Sequence, residues 1–139
     1  MTEQEIHNIC NKYDIKNYTI NPDGSIDVDG SVYLYNMDLT EIPLKFNKVS
    51  GYFDCSNNQL KSLKGSPKKV GGDFYCSLNK LTSLKGGPEK VYDMFYCGGN
   101  PLESLDGYNG NYDMLDCDNK DGLILKLKRK QKFKLINEL

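Results

Sequence analysis

Four cysteines, Cys55, Cys76, Cys97 and Cys117, stand 21, 21 and 20 residues apart in a chain of 139, each inside a copy of the same phrase. Read from the first apolar strand residue, one copy runs from Phe53 to Asp73, the next from Phe74 to Met94, and a third from Phe95 to Met114, one residue short. An earlier, divergent copy runs from Val32 to Tyr52, with Leu34 in the cysteine slot and Met37 in the asparagine slot. A half-copy starts at Leu115 and breaks off. The shared skeleton is F-x-C-x-x-N-x-L-x-S-L, then a Gly/Pro turn, then usually K-V-x-x-x before the next copy. A unit this short cannot bury its own apolar face, so the copies must stack and form one core between them.

Each slot has a physical reading. In a short strand alternate side chains share a face, so Phe74 and Cys76 point inward while Asp73, Tyr75 and Ser77 point outward. Successive copies then align into a parallel sheet of about five short strands, with rungs about 4.8 Å apart. Asn58, Asn79 and Asn100 occupy the bend after the strand, where a buried amide satisfies backbone groups that the turn leaves unpaired. The pairs Leu60/Leu63, Leu81/Leu84 and Leu102/Leu105 bring the chain inward on the far side. Pro67, Pro88, Gly65, Gly86 and Gly87 make that return extended or turn-rich and not helical.

The phrase resembles the leucine-rich repeat, whose L-x-x-L-x-L-x-x-N-x-L core is matched from its second leucine onward by Phe74, Cys76, Asn79 and Leu81, with Leu84 following. The first leucine of that core is replaced by Ser50, Gly71 or Tyr92, with Val49, Val70 and Val91 one place earlier. The resemblance implies a leucine-rich-repeat solenoid over residues 29–120, with an extended convex side, acting by protein binding through its strand face. The cysteine-and-asparagine repeat is similar to leucine-rich-repeat proteins of tailed-phage and other AT-rich genomes. A chain with 14 asparagines and no alanine agrees with such coding, and engagement of a host factor is the role this likeness implies.

An open stack exposes core and strand edge at both ends, so caps are expected within the single domain. Over residues 1–28, Thr2-Glu3-Gln4-Glu5 fits a capping box, and Ile6, Ile9, Cys10 and Tyr13 follow with helical spacing. Tyr18–Ile20 and Ile26–Val28 read as a hairpin around Pro22-Asp23-Gly24. Residues 121–139 form the other, basic cap, for which a helix is expected. Asp121 is a candidate helix cap, with Ile124, Leu127, Phe133, Leu135, Ile136 and Leu139 as apolar groups, although Leu123, Leu125 and Leu127 alternate as in a strand.

A net charge of −1 hides a dipole. Residues 1–119 carry 11 basic and 17 acidic side chains, a balance of −6, and residues 120–139 carry 7 and 2, a balance of +5. Two readings of the basic end stand open. It is a cap with a solvated lysine face, or Lys126, Lys128, Arg129, Lys130, Lys132 and Lys134 form a handle for an anion: nucleic acid, an acidic protein or lipid.

Catalytic and metal chemistry find little material. His7 is the only histidine, so a multi-histidine metal site cannot be assembled within one chain and a serine triad would have that one residue alone to draw on. Cysteines placed one per coil form a row and do not converge tetrahedrally, and a buried cysteine serves as a small hydrophobe. Gly71-Gly72 and Gly86-Gly87 match no phosphate-binding signature, and Asp116, Asp118 and Asp121 lack the spacing and closing glutamate of a calcium loop. No cofactor or metal is expected, and the chain is not expected to be an enzyme. With no apolar segment for a signal peptide or span, a cytoplasmic location is expected.

What remains is the outward strand face. Tyr33, Tyr35, Tyr52, Asp54, Asp73, Tyr75, Met94, Tyr96, Asp116 and Asp118 fall there and are the candidate partner-binding residues. The competing reading is that tyrosine suits strands and pairs across rungs.

Overall fold

The structure, a computed structural model, describes residues 1–138. Helix α1 (Glu3–Lys12) leads into β1 (Tyr18–Ile20) and β2 (Ile26–Val28). The coils follow: β3 (Val32–Tyr33), β4 (Phe46–Val49), β5 (Phe53–Asp54), β6 (Lys69–Val70), β7 (Phe74–Tyr75), β8 (Lys90–Val91), β9 (Phe95–Tyr96) and β10 (Leu115–Asp116). Helix α2 (Lys120–Asn137) closes the chain. The result is a parallel β-solenoid with a 21-residue coil.

The sequence phrase predicts the strand sheet correctly. Strands β3, β5, β7, β9 and β10 form one all-parallel sheet in which Val32, Phe53, Phe74, Phe95 and Leu115 occupy equivalent rungs. Each coil donates backbone N–H groups to the coil that follows: Val32 to Tyr52 O, Phe53 to Asp73 O and Phe74 to Met94 O, all within 2.8–3.0 Å. Phe53, Phe74 and Cys76 are fully buried, and the phenylalanine rings stack along the solenoid axis at 5.7 Å and 4.8 Å for the Phe53/Phe74 and Phe74/Phe95 pairs. A continuous aromatic column of this kind is the core.

The far side is more ordered than expected. The K-V segments form a second sheet, in the order β1-β2-β4-β6-β8, with Val49, Val70 and Val91 in register. The valines allow it, since a β-branched residue suits a strand, and Val49 and Val70 are buried in the core while Val91 packs against it. Between the two sheets the chain turns a tight corner. A Cβ on Gly71 would lie 2.2 Å from Ser50 O, so only glycine fits where adjacent coils touch there.

The N-terminal end matches its expected elements. Thr2 Oγ1 accepts a hydrogen bond from Glu5 N at 3.1 Å, and Ile6 and Cys10 are buried. Strand β2 does more than cap, because it pairs with β4 and so founds the second sheet. The C-terminal end is helical, as expected, and Leu123, Leu125 and Leu127 lie in the helix and not in a strand; only its start differs, the N-cap being Asn119, in the left-handed region, rather than Asp121. Of the apolar groups assigned to that cap, Ile124 packs against the core beside the buried Leu123 and Leu127 is half-buried, whereas Phe133, Leu135 and Ile136 are exposed. Leu139 lies outside the described residues.

Asparagines tie the coils together. Asn79 donates from Nδ2 to Cys55 O at 3.0 Å and Cys76 O at 3.1 Å, and its Oδ1 accepts from Leu60 N at 3.0 Å. Asn58 and Asn100 repeat this one coil earlier and one coil later. Each amide therefore bridges two coils and satisfies groups that a bend with few backbone bonds leaves open.

Candidate functional site

The outward side of the β3-β5-β7-β9-β10 sheet is built by elementary strand alternation. With Phe and Cys committed to the core, the residues between them must face solvent. Tyr33, Asp54, Tyr75, Tyr96 and Asp116 form one column in register across the five strands. Tyr33, Tyr35 and Tyr52 are exposed, at 52%, 52% and 45%, and Tyr75 and Tyr96 are half-buried.

Part of this face is knitted together. The Tyr75 and Tyr96 rings stack at 4.8 Å with an interplanar angle of 5°, and Tyr52 meets Tyr75 edge-on at 6.5 Å. Tyr75 OH donates to Asp73 Oδ2 at 2.8 Å, and this bond to a carboxylate pushes the phenol up to about 12. Asp73 Oδ1 accepts from Met94 N, Asp54 Oδ1 accepts from Ser56 N, and Asp118 Oδ2 accepts from Gly99 N at 2.7 Å. Cross-rung pairing of tyrosines, one of the two readings of these residues, thus holds for the centre of the face. Tyr33 and Tyr35, at one end, touch only each other among the aromatic rings, 6.4 Å apart and edge-on, and Asp116 at the other end is exposed.

The face is also sorted by charge. Its outward positions carry Asp54, Asp73, Asp116 and Asp118 and no lysine or arginine. Lysines collect elsewhere on the body: Lys48, Lys69 and Lys90 stand exposed and in register on the second sheet. Like charges on adjacent rungs are unfavourable, so this ladder marks a separate, basic side.

Two exposed apolar residues border the face and are not among the candidate binding residues. Met37 is 40% and Leu78 is 58% exposed. Leu78 has φ 57°, in the left-handed slot that Asn36, Asn57 and Gly99 fill in the other coils. Comparing slots between copies would have found it, since leucine replaces residues that tolerate this conformation.

Cys55, Cys76, Cys97 and Cys117 sit one per coil, and Cys10 lies in α1. Burial pushes the thiols of Cys55, Cys76 and Cys97 well up from their ordinary value, and all five cysteines are free thiols. Among the described residues no group of three or more His, Cys, Asp or Glu side chains is placed to hold a metal ion. His7 is exposed, with Nδ1 against Tyr18 OH at 2.5 Å.

The six cations of the C-terminal segment divide in two. Lys126 Nζ donates to Glu103 O at 2.7 Å and Lys130 pairs with Asp106 at 3.4 Å, both fastening α2 to the last coil. Lys128, Arg129, Lys132 and Lys134 lie on the exposed part of the helix. Among the described residues, none of the six makes a hydrogen bond or ion pair to a strand-face side chain. No helix among the described residues is long and apolar enough to cross a membrane.

Fold and site together define a capped parallel β-solenoid with an acidic, tyrosine-bearing strand face. No protein-family model, curated protein or solved structure matches the chain.

Proposed function

We propose that the protein is a non-catalytic binding module of the leucine-rich-repeat type that takes a protein partner on its strand face. The observation that carries this is the face itself: five tyrosines and four carboxylates across one sheet, with no cation among them. Tyrosine supplies large contact area with little rotamer entropy to lose, and it anchors protein interfaces. Carboxylates set between aromatic rings suit a partner segment bearing lysine or arginine, which gains both a charge pair and a ring face. The asparagine bridges between coils and the paired leucines support the leucine-rich-repeat reading. The likeness to repeat proteins of tailed-phage genomes adds that the partner is a host factor which the protein engages or inhibits.

The test is affinity capture from the native cell or infected host with three forms of the chain. Tyr33→Ser/Tyr35→Ser/Asp116→Asn removes contact groups that make no core packing, and Lys48→Glu/Lys69→Glu alters the opposite sheet. A partner lost from the first and kept by the second supports the strand face. A partner retained by the first variant removes it. Salt-insensitive binding would leave the face in use but remove the basic partner segment.

A further inference from the structure

Helix α2 does two jobs along its length. Its first half is anchored through Leu123, Ile124, Lys126 and Lys130, with Leu127 half-buried beside them. From Lys128 to Glu138 every residue is exposed, including Phe133 at 68% and Ile136 at 57%. At about 100° per residue, Leu125, Arg129, Phe133 and Ile136 fall within an arc of about 80° on the side away from Leu123 and Leu127. Leu125 is likewise exposed, at 49%. The helix therefore carries two apolar stripes, one spent on the solenoid and one open.

The open stripe is bordered on one side by Lys128 and Lys132, on the other by Lys126, and crossed by Arg129. Basic residues also recur four apart, at Lys126, Lys130 and Lys134 and at Lys128 and Lys132, a spacing at which like charges repel on a helix. Only one of these, Lys134, has an acidic neighbour on the helix, Glu138 at 4.0 Å. Such a segment is most stable against a surface that is negative and also accepts apolar side chains. Nucleic acid meets the first condition and leaves Phe133 and Ile136 in water. An anionic bilayer interface meets both, since rings and branched chains enter the headgroup boundary while lysines reach the phosphates. Association with a second α2 would bring like-charged helices together. The acidic balance of residues 1–119 further orients the molecule, because a negative membrane repels the body and attracts the helix.

We propose that the exposed half of α2 docks the protein on anionic lipid surfaces, lying in the interface with Leu125, Phe133 and Ile136 inward. This rests on a surface separate from the strand face, so either can fail alone. The test uses the full chain with vesicles of phosphatidylcholine alone, or with roughly a third phosphatidylglycerol, read by co-sedimentation at low and physiological salt. Binding is expected only to the anionic vesicles. Lys128→Gln/Arg129→Gln/Lys132→Gln should weaken it about a hundredfold, at about fivefold per cation. Phe133→Ser/Ile136→Ser should weaken it more than tenfold, because each side chain leaves an apolar environment. Neither variant touches the solenoid, so thermal unfolding of the body stays unchanged. Absence of binding at low salt overturns the proposal. So does vesicle binding that ignores Phe133→Ser/Ile136→Ser, or tighter binding to duplex DNA at equal phosphate concentration that ignores it.

Discussion

Replacing Asn79 by alanine removes one buried amide and tests how the coils are held together. The loss can be worked out group by group. Cys55 O and Cys76 O each keep a second amide donor, from Asn58 and Asn100, so each loses one of two bonds. Ser77 O loses a longer bond of 3.3 Å. Leu60 N is different: Asn79 Oδ1 is its partner, and Leu60 is fully buried, so its N–H is left orphaned. An orphaned buried donor costs about 1–3 kcal/mol and each lost shared bond about 0.5–1, which totals about 3 kcal/mol. With a urea dependence of about 2 kcal/mol/M for a small domain, the unfolding midpoint should fall by about 1.5 M with unchanged slope. Asn79→Asp is the matched control. It keeps the acceptor for Leu60 N but sets a carboxylate against three carbonyl oxygens, so it should destabilise at least as much at neutral pH and recover when protonated. A loss below about 1 kcal/mol for Asn79→Ala would refute the reasoning. A reduced slope would show instead that the coils on either side unfold separately.

Three further outcomes follow from local geometry. Leu78→Asn should stabilise the fold by about 1 kcal/mol, because an exposed leucine is held at positive φ where Asn36 and Asn57 sit in neighbouring coils, and thermal melting would show a lower midpoint if this strain were absent. Thiol labelling of the native protein should modify the half-buried Cys117 first and leave Cys55, Cys76 and Cys97 untouched until unfolding; equal labelling of all four would contradict the burial. Tyr75 should ionise near pH 12, later than an ordinary tyrosine. Its folded value lies above its unfolded one, so the stabilisation is complete below about pH 10 and fades as pH rises towards that of the folded phenol. Asp73→Asn should bring the ionisation down, read as the ultraviolet difference from a Tyr75→Phe chain, and an unchanged titration would remove the Asp73 bond as its cause.

Legibility varied by element, for physical reasons. The β3-β5-β7-β9-β10 sheet, the asparagine bridges and the N-terminal helix and hairpin follow from spacing, because strand alternation, bend chemistry and capping are decided within a few residues. The second sheet did not follow, since Lys69-Val70 is too short to announce a strand and acquires that character only when its copies at Lys48-Val49 and Lys90-Val91 lie beside it. The C-terminal helix was ambiguous for a related reason. Leu123, Leu125 and Leu127 fit two periods, and the packing of Leu123 and Ile124 into the core comes with the helical one.

The candidate face divides in the same way. Strand alternation alone lists its outward residues, because it depends only on which positions the core has claimed. Which of those tyrosines are used up by one another is a matter of rung-to-rung distance, and only the stacked coils set it: Tyr75 and Tyr96 close at 4.8 Å, whereas Tyr33 and Tyr35 remain open. The 21-residue repeat by itself required a stack with one shared core and an exposed strand face. The tertiary structure alone decided the second sheet, the sorting of acids and lysines onto separate sides, and the exposure of half of α2, because each depends on what lies about one coil away and not on what lies next in the chain.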